Sequence, residues 1–263
     1  MDKDTVAALL PLFDREMREG VRADGPGARV ERVERAGKVV RHVGADAGSW
    51  NGVVWSDLDE ATADAAVAEQ VAYFASLGRE FEWKLYGHDL PADLPLRLRA
   101  AGFVAEPTET VMVAAIADLP AGSGPPEGIR LLPVTDAASV DLAVAAQERA
   151  FGEPREQHRK LLLDQLDSDV PLAVVAMAGD VPVSAARMEL HPGTSFVSLW
   201  GGGTVPEWRG RGIYRALVHH RARLAAERGY HHLHVDASAM SRPILERLGF
   251  VGLGTTTPYV FVP

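Results

Sequence analysis

The residues best suited to chemistry in this sequence are gathered in one run, Val205-Pro-Glu-Trp-Arg-Gly-Arg-Gly-Ile-Tyr-Arg-Ala-Leu217. Gly210 and Gly212 leave backbone N–H groups uncovered, and the helical pattern that starts at Ile213 aims the positive end of its dipole at the same spot. Such a loop holds an anion. Arginines beside the glycines add charge-assisted hydrogen bonds, so a pyrophosphate is the natural guest. Arg209, Arg211, Arg215, Arg221 and Arg223 fall within fifteen residues against the single acid Glu207, a basic patch that on charge alone reads as a solvated helix face. The spelling excludes two other phosphate loops. There is no G-x-x-x-x-G-K-[ST], and Gly210-x-Gly212 is followed by Arg215 rather than the third glycine of a dinucleotide fold.

The elements that must position this loop can be read around it. Ile129 opens a short strand, Ala137 to Phe151 a helix, and Arg155 to Leu166 another. Leu172 to Met177 and Val181 to Leu190 are β-rich runs joined by Gly179-Asp180, a hairpin signal, and His191-Pro-Gly-Thr194 is a second turn. Phe196 to Leu199 begins a strand that runs into Gly201-Gly-Gly203 and the loop. A long helix from Ile213 to about Arg228 stops at Gly229, a strand follows over Leu233–Ala237, then a helix ending in Leu-Gly-Phe250 and a last strand over Tyr259–Val262. The first half has the same order at its back end: a helix from Asp59 to Leu77, Gly78, a strand over Phe81–Leu85, a helix ending in Ala-Gly-Phe103, and a strand over Thr110–Ala114. The two Gly-Phe pairs suit an internal duplication. Trp50 to Asp57, before the first half's helix, contains nothing that cradles a phosphate. Between the halves, Asp118 to Gly128 is rich in Pro and Gly and reads as a linker. The expected units are residues 1–119, a linker over 120–127, and 128–263.

Composition limits the classes open to the chain. Apolar residues make up 47% and charged residues 24% of 263, a globular mix with enough apolar side chain for a core. The absence of cysteine removes disulfides, thiolate nucleophiles and cysteine-ligated metals. It also suits a reducing cytoplasm. The opening Met-Asp-Lys-Asp lacks a basic signal-peptide region, and no apolar run reaches the roughly 18 residues of a membrane span, so no membrane partner is expected. A net charge of −9 argues against a nucleic-acid partner. Residues 1–126 hold 13 Lys+Arg against 21 Asp+Glu, while 127–263 hold 14 against 15. The aromatic residues Trp50, Trp55, Tyr73, Phe74, Phe81, Trp83 and Tyr86 of the acidic half read as core. That half is expected to pack on the other and supply part of a pocket for a cationic amine.

The pattern strand, Val-x-Pro, Arg-x-x-Gly-x-[Gly/Ala], long helix, strand, helix ending in Gly-Phe resembles the GNAT superfamily of acetyl-CoA-dependent N-acyltransferases over Ile129 to Val262. The resemblance implies an α/β (α+β) fold of two GNAT-like domains, each a mixed, mostly antiparallel sheet flanked by helices, with a degenerate first copy as in tandem members. It implies that the backbone at Arg209, Gly210, Arg211, Gly212 and Ile213 holds the CoA pyrophosphate, and that the preceding strand pairs with pantetheine. A bulge near Gly203, Thr204 and Val205 would then leave an N–H to polarise the thioester carbonyl. Three positions depart from the family. Tyr214 replaces the loop's second small residue and can cover the phosphates, Ser238 stands where Asn is frequent in the donor site, and Leu245 replaces the tyrosine that protonates the leaving thiolate. Ser241, Tyr214 or water can substitute for that acid.

The implied reaction moves an acetyl group to a primary amine of a small-molecule or peptide acceptor, with a monomer or homodimer as the working form. A general base is then needed, and Glu189 at the end of the second hairpin strand is the best placed carboxylate, though a strand-end glutamate also suits plain solvent exposure. His232, His234 and Asp236 alternate onto one strand face. They suit a metal triad or the lining of a substrate cleft, and the transferase reading needs no metal. His219 and His220 read as surface or packing residues. A chain without the usual acid and base also suits an acyl-CoA sensor that binds without turnover.

Overall fold

The computed structural model describes residues 3–22, 30–45, 49–120, 122 and 124–263; Met1, Asp2 and positions 121 and 123 of the expected linker lie outside them. In the first half, α1 (Lys3–Phe13) continues as a π-helical turn over Asp14–Glu19 and is followed by β1 (Val30–Ala36), β2 (Val39–Gly44) and β3 (Gly52–Ser56). Then come α2 (Ala63–Ser76), β4 (Phe81–Tyr86), α3 (Leu94–Ala100), β5 (Val104–Ala105) and β6 (Glu109–Ala115). The second half contains β7 (Ile129–Pro133), α4 (Ala137–Phe151), α5 (Glu156–Asp164), β8 (Ala173–Ala178), β9 (Val181–Leu190) and β10 (Phe196–Thr204). It ends with α6 (Ile213–Ala226), β11 (His232–Ala237), α7 (Arg242–Arg247) and β12 (Val251–Phe261).

The strands form one sheet in the order β1-β2-β3-β4-β12-β6-β11-β10-β9-β8-β7, with β5 paired to β12. Among the described residues only β3–β4 and β10–β11 run parallel. The central four strands show why the sheet does not divide at the linker. β12, last in the chain, pairs with β4 and β6 of the first half, and β6 pairs with β11 of the second. Each half has given the other the strand beside its parallel pair. The expected last strand over Tyr259–Val262 is therefore much longer, because it needs β6 at one end and β4 at the other as partners.

Strand alternation sorts the two faces. Phe81, Trp83 and Leu85 of β4 bury against α2 and α3, and Met112, Val197, Leu199 and Leu233 bury against α6 and α7. Both groups lie on the same face, since the cross-strand pairs Trp83–Tyr259, Gly252–Met112 and Met112–Val235 preserve parity apart from one bulge in β12. The opposite face carries α4 against Val175 and Ala185. It also carries α1, whose Leu9 and Phe13 pack on Tyr86, Val111, Val113 and Phe196. Helix α4 starts on a capping box in which Asp136 and Ser139 satisfy each other's backbone, and it ends on Gly152 in the left-handed region.

Candidate active site

Strands β10 and β11 are paired only over Phe196–Ser198 and His232–His234, and they part beyond that point. On its other edge β10 follows β9 from Val197–Leu190 to Trp200–Arg187, then resumes at Gly203–Ala185, so Gly201 and Gly202 stand against the single residue Ala186. This is a bulge with its first glycine in the left-handed region, at φ +59°. Gln147 of α4 donates Nε2 to the Gly201 carbonyl at 2.9 Å. A Cβ at Gly202 would stand 2.7 Å from the Tyr214 ring, so only glycine lets that ring close on the strand. The bulge thus lies two residues before the expected Gly203–Val205. Gly203 and Thr204 are back in register, and the Val205 N–H is taken by the Val183 carbonyl at 2.9 Å. The register is set by β9, which the local sequence of β10 does not reveal.

Below the bulge the chain makes a single 3-10 turn over Pro206–Trp208 and enters the arginine-glycine loop. Gly212 caps α6 at φ +83° and no side chain caps the helix, so its first-turn N–H groups are left for a ligand or solvent. Arg211 and Arg215 are exposed, Arg211 with its guanidinium 4.6 Å from the Trp208 ring centre. Arg209 does otherwise than expected. Its guanidinium donates to the carbonyls of Thr204 (3.0 Å) and Ala150 (3.1 Å), pinning the loop to β10 and α4. Tyr214 lies half-buried at the bulge, and burial raises its phenol above the ordinary range, with Arg221 opposing. Ser238 and Ser241 lie together between β11 and α7, with hydroxyls 3.2 Å apart. Leu245 is fully buried in the core beneath them.

The face opposite α6 and α7 is polar at its centre. Lys84 of β4 forms an ion pair with Asp236 of β11, although β12 and β6 lie between their strands. A flat sheet would separate them by about 14 Å, so the sheet is concave on this side. From Asp236 the contacts continue to His234 Nε2 (3.1 Å), from His234 Nδ1 to Ser198 Oγ (3.1 Å), and from Ser198 to His191 Nε2 (2.8 Å). Burial opposes the charge on Asp236, but Lys84 and His234 outweigh it and hold the carboxyl well below its ordinary value. Burial likewise opposes the Lys84 ammonium, which Asp236, Tyr86 and Glu82 keep charged. Glu109 of β6 is pushed up to about 7 by burial and by the charge of Asp236, with Lys84 opposing. Burial also raises Glu82, despite Lys84 and a hydrogen bond donated by Trp50 Nε1 at 2.9 Å.

Glu189 stands on this face, opposite Ser198 in the ladder and 3.7 Å from the Arg187 guanidinium. The structure therefore brings Glu189, His234 and Asp236 to one side of the β10–β11 opening, and Tyr214, Ser238 and Ser241 toward the other. His232 stacks on Phe196 at 4.9 Å. Among the described residues no three His, Asp or Glu side chains are arranged to hold a metal. His219 and His220 are half-buried on α6. Sequence reasoning missed Lys84, Glu82, Glu109, Ser198 and Arg187. Each sits at alternate positions of a strand whose other face is apolar, a pattern that reads as solvated surface unless another strand is known to face it.

A parting of parallel strands beside a bulge, continuous with an uncapped helix N-terminus, has the shape and polarity that suit a long ligand with an anionic end. Residues 141–250 match the model of the Acetyltransferase (GNAT) family, a family that uses acetyl-CoA as co-substrate. Among solved structures the fold is similar over 98% of this chain and 94% of a GCN5-related N-acetyltransferase from Kribbella flavida, at TM-score 0.67 and 19% identity. It is similar over 85% of the chain and 76% of a GCN5-related N-acetyltransferase from Sphaerobacter thermophilus, at TM-score 0.61 and 17% identity. A tandem GNAT protein from the clavulanic acid biosynthesis pathway aligns over 99% of this chain and 95% of its own, at TM-score 0.58 and 13% identity. No curated protein matches the chain by sequence.

Proposed function

We propose that the chain is an acetyl-CoA-dependent N-acetyltransferase that moves an acetyl group from CoA to a primary amine. The observation that carries this is the continuity of three features: the glycine bulge at Gly201–Gly202, the parting of β10 from β11, and the uncapped N-terminus of α6 behind Gly212. Backbone N–H groups from Gly210 to Tyr214 hold the pyrophosphate, Arg211 and Arg215 add charge, and Arg209 keeps the loop in shape. The opened edge of β10, ending at Gly203, Thr204 and Val205, pairs with the pantetheine arm, with Ser238 across the opening. When bound, acetyl-CoA supplies an activated thioester whose carbonyl lies at the bulge.

Glu189 accepts a proton from the acceptor ammonium, and the freed amine attacks the thioester carbon. A backbone N–H of the bulge donates a hydrogen bond to the carbonyl oxygen and stabilises the negative charge that develops on it. Tyr214 or Ser241 returns a proton to the departing thiolate. The buried Leu245 leaves that task to them or to water. The chain is read as two repeats, residues 1–119 and 128–263, with the first lacking the phosphate loop and forming one wall of the acceptor cleft. The sensor reading rests on the same Leu245, since a site with no proton donor binds without turnover.

Calorimetric titration with acetyl-CoA and CoA, in the native chain and in Gly212→Glu, tests the donor site. A side chain at φ +83° and a negative charge at the helix end are expected to abolish binding. No binding by the native chain would overturn the reading. Release of free thiol with an amine panel separates the transferase from the sensor.

A further inference from the structure

Around the bulge lies a group of buried polar atoms with no hydrogen-bond partner among the described residues. Gln147 is 1% exposed, and while its Nε2 serves the Gly201 carbonyl, its Oε1 has no hydrogen-bond partner among the described residues. The same is true of Nε1 of Trp200, Nε of Arg187, Nε2 of His158 and Nε of Arg155. They belong to one neighbourhood. Arg187 is directly opposite Trp200 in the ladder, with its guanidinium 5.4 Å from the ring centre. A Cβ at Gly201 would lie 3.7 Å from the His158 ring, and Arg155 lies 4.3 Å over Phe151, whose own ring closes on Gly203.

Orphaned buried donors are costly and uncommon, so a convergent set calls for a ligand. The set is unbalanced in sign. It holds two guanidinium groups and an indole N–H, and burial with Arg187 and Arg155 nearby lowers His158 to about 4, leaving it neutral and able to donate. Among the described residues Glu189 forms an ion pair with Arg187 at 3.7 Å, which is too long to be a good hydrogen bond and leaves Nε of Arg187 without an acceptor. Arg187 is 14% exposed at its side chain, so the group opens on one side. Donors and positive charge beside the site of acyl transfer suit a carboxylate, and the planar fork of arginine matches one.

We propose that Arg187, Trp200 and His158, backed by Arg155, hold a carboxylate beside the Gly201–Gly202 bulge. This rests on the transferase reading and deepens it. The carboxylate belongs either to the acceptor, making it an amino acid or a similar amine-acid, or to the acyl group, making the donor a dicarboxylic acyl-CoA. The acids Glu189, Asp236, Glu82 and Glu109 lie on the same concave face and suit the ammonium of the first kind of ligand.

The test uses the full chain in two arms. Thiol release is measured with acetyl-CoA and a panel of amino acids against their amides, and binding of succinyl-CoA is compared with acetyl-CoA by calorimetry. A preference of about tenfold or more for the acid over its amide assigns the carboxylate to the acceptor, and a like preference for succinyl-CoA assigns it to the donor. Either preference is expected to shrink to about threefold or less in Arg187→Gln. In Trp200→Phe, which keeps the ring and removes only the N–H, it is expected to fall partway. Preferences that persist unchanged in both variants, or a native chain that binds acetyl-CoA yet shows neither preference, would overturn the subsite alone. Failure of the native chain to bind either acyl-CoA would overturn the transferase reading and the subsite with it.

Discussion

Replacing Lys84 by Met removes the cation from a pair in which Asp236 is 2% and Lys84 16% exposed at the side chain. Taking away one partner of a buried pair costs about 3–5 kcal/mol, because the other charge stays buried without compensation. Some water reaches Lys84, and His234 still contacts Asp236 at 3.1 Å, so about 3 kcal/mol is expected at pH 7. The pH dependence gives a second reading. In the native chain Asp236 has a depressed value, so its stabilising effect is complete above the ordinary carboxylate value of about 3.9 and is lost as pH falls through the folded one. In Lys84→Met, burial is opposed by His234 alone, and Asp236 is expected to rise above that ordinary value. Its ionised form then penalises folding at neutral pH, and the penalty fades as acid protonates it.

The difference between native and variant is therefore expected to be largest near pH 7 and smaller near pH 4.5. Guanidinium denaturation of native, Lys84→Met, Asp236→Leu and the double variant at both pH values measures it. The double variant should lose clearly less than the sum of the single losses, since it leaves neither charge stranded. A cost below about 1 kcal/mol at pH 7, an equal cost at both pH values, or additive losses would refute the reasoning that this pair ties the two halves across the concave face.

Two further outcomes follow from the site. Tyr214→Phe is expected to lower kcat by about 10- to 100-fold with little change in the KM for acetyl-CoA, because burial keeps the phenol protonated at the bulge; an unchanged rate would remove it as proton donor. Carboxyl NMR should find Glu109 titrating near 7, held there by burial and by Asp236, and Asp236→Asn should lower that value; a Glu109 that titrates in the ordinary range would show that the concave face is wetter than described.

The arginine-glycine loop was legible because its chemistry is local. Two glycines, flanking arginines and a helix start are consecutive in sequence, and the structure places Gly212 at the helix cap as that spacing implies. The bulge was misplaced by two residues because Gly201, Gly202 and Gly203 are equivalent in sequence, and only pairing with Arg187 and Ala185 distinguishes them. The Lys84–Asp236 pair joins residues 152 positions apart. Glu82-x-Lys84 on β4 and His234-x-Asp236 on β11 each read as the polar side of an ordinary strand. Nothing in either segment states that the sheet curves to face them. The strand exchange was hidden for a related reason: helix, strand, helix, strand is the same order whether the last strand pairs within its own half or crosses to the other.

That exchange accounts for where the polar residues meet. If β6 and β12 each paired within their own half, β4 and β11 would belong to separate sheets, and Lys84 and Asp236 would depend on a domain contact to find each other. Because β12 lies beside β4 and β6 beside β11, a continuous backbone ladder sets the distance between the two side chains, and side-chain packing has only to choose rotamers. The arrangement also delivers the first half's acids to one place. Glu82 comes from β4 and Glu109 from β6, on either side of β12, and both are raised by burial on the face that bears Glu189. Two carboxyl groups of residues 1–126 are in this way placed on the side of the β10–β11 opening away from the arginine-glycine loop. The cationic end of an acceptor and the anionic end of a donor would then approach the bulge from opposite faces of the sheet, each toward charge of its own complement.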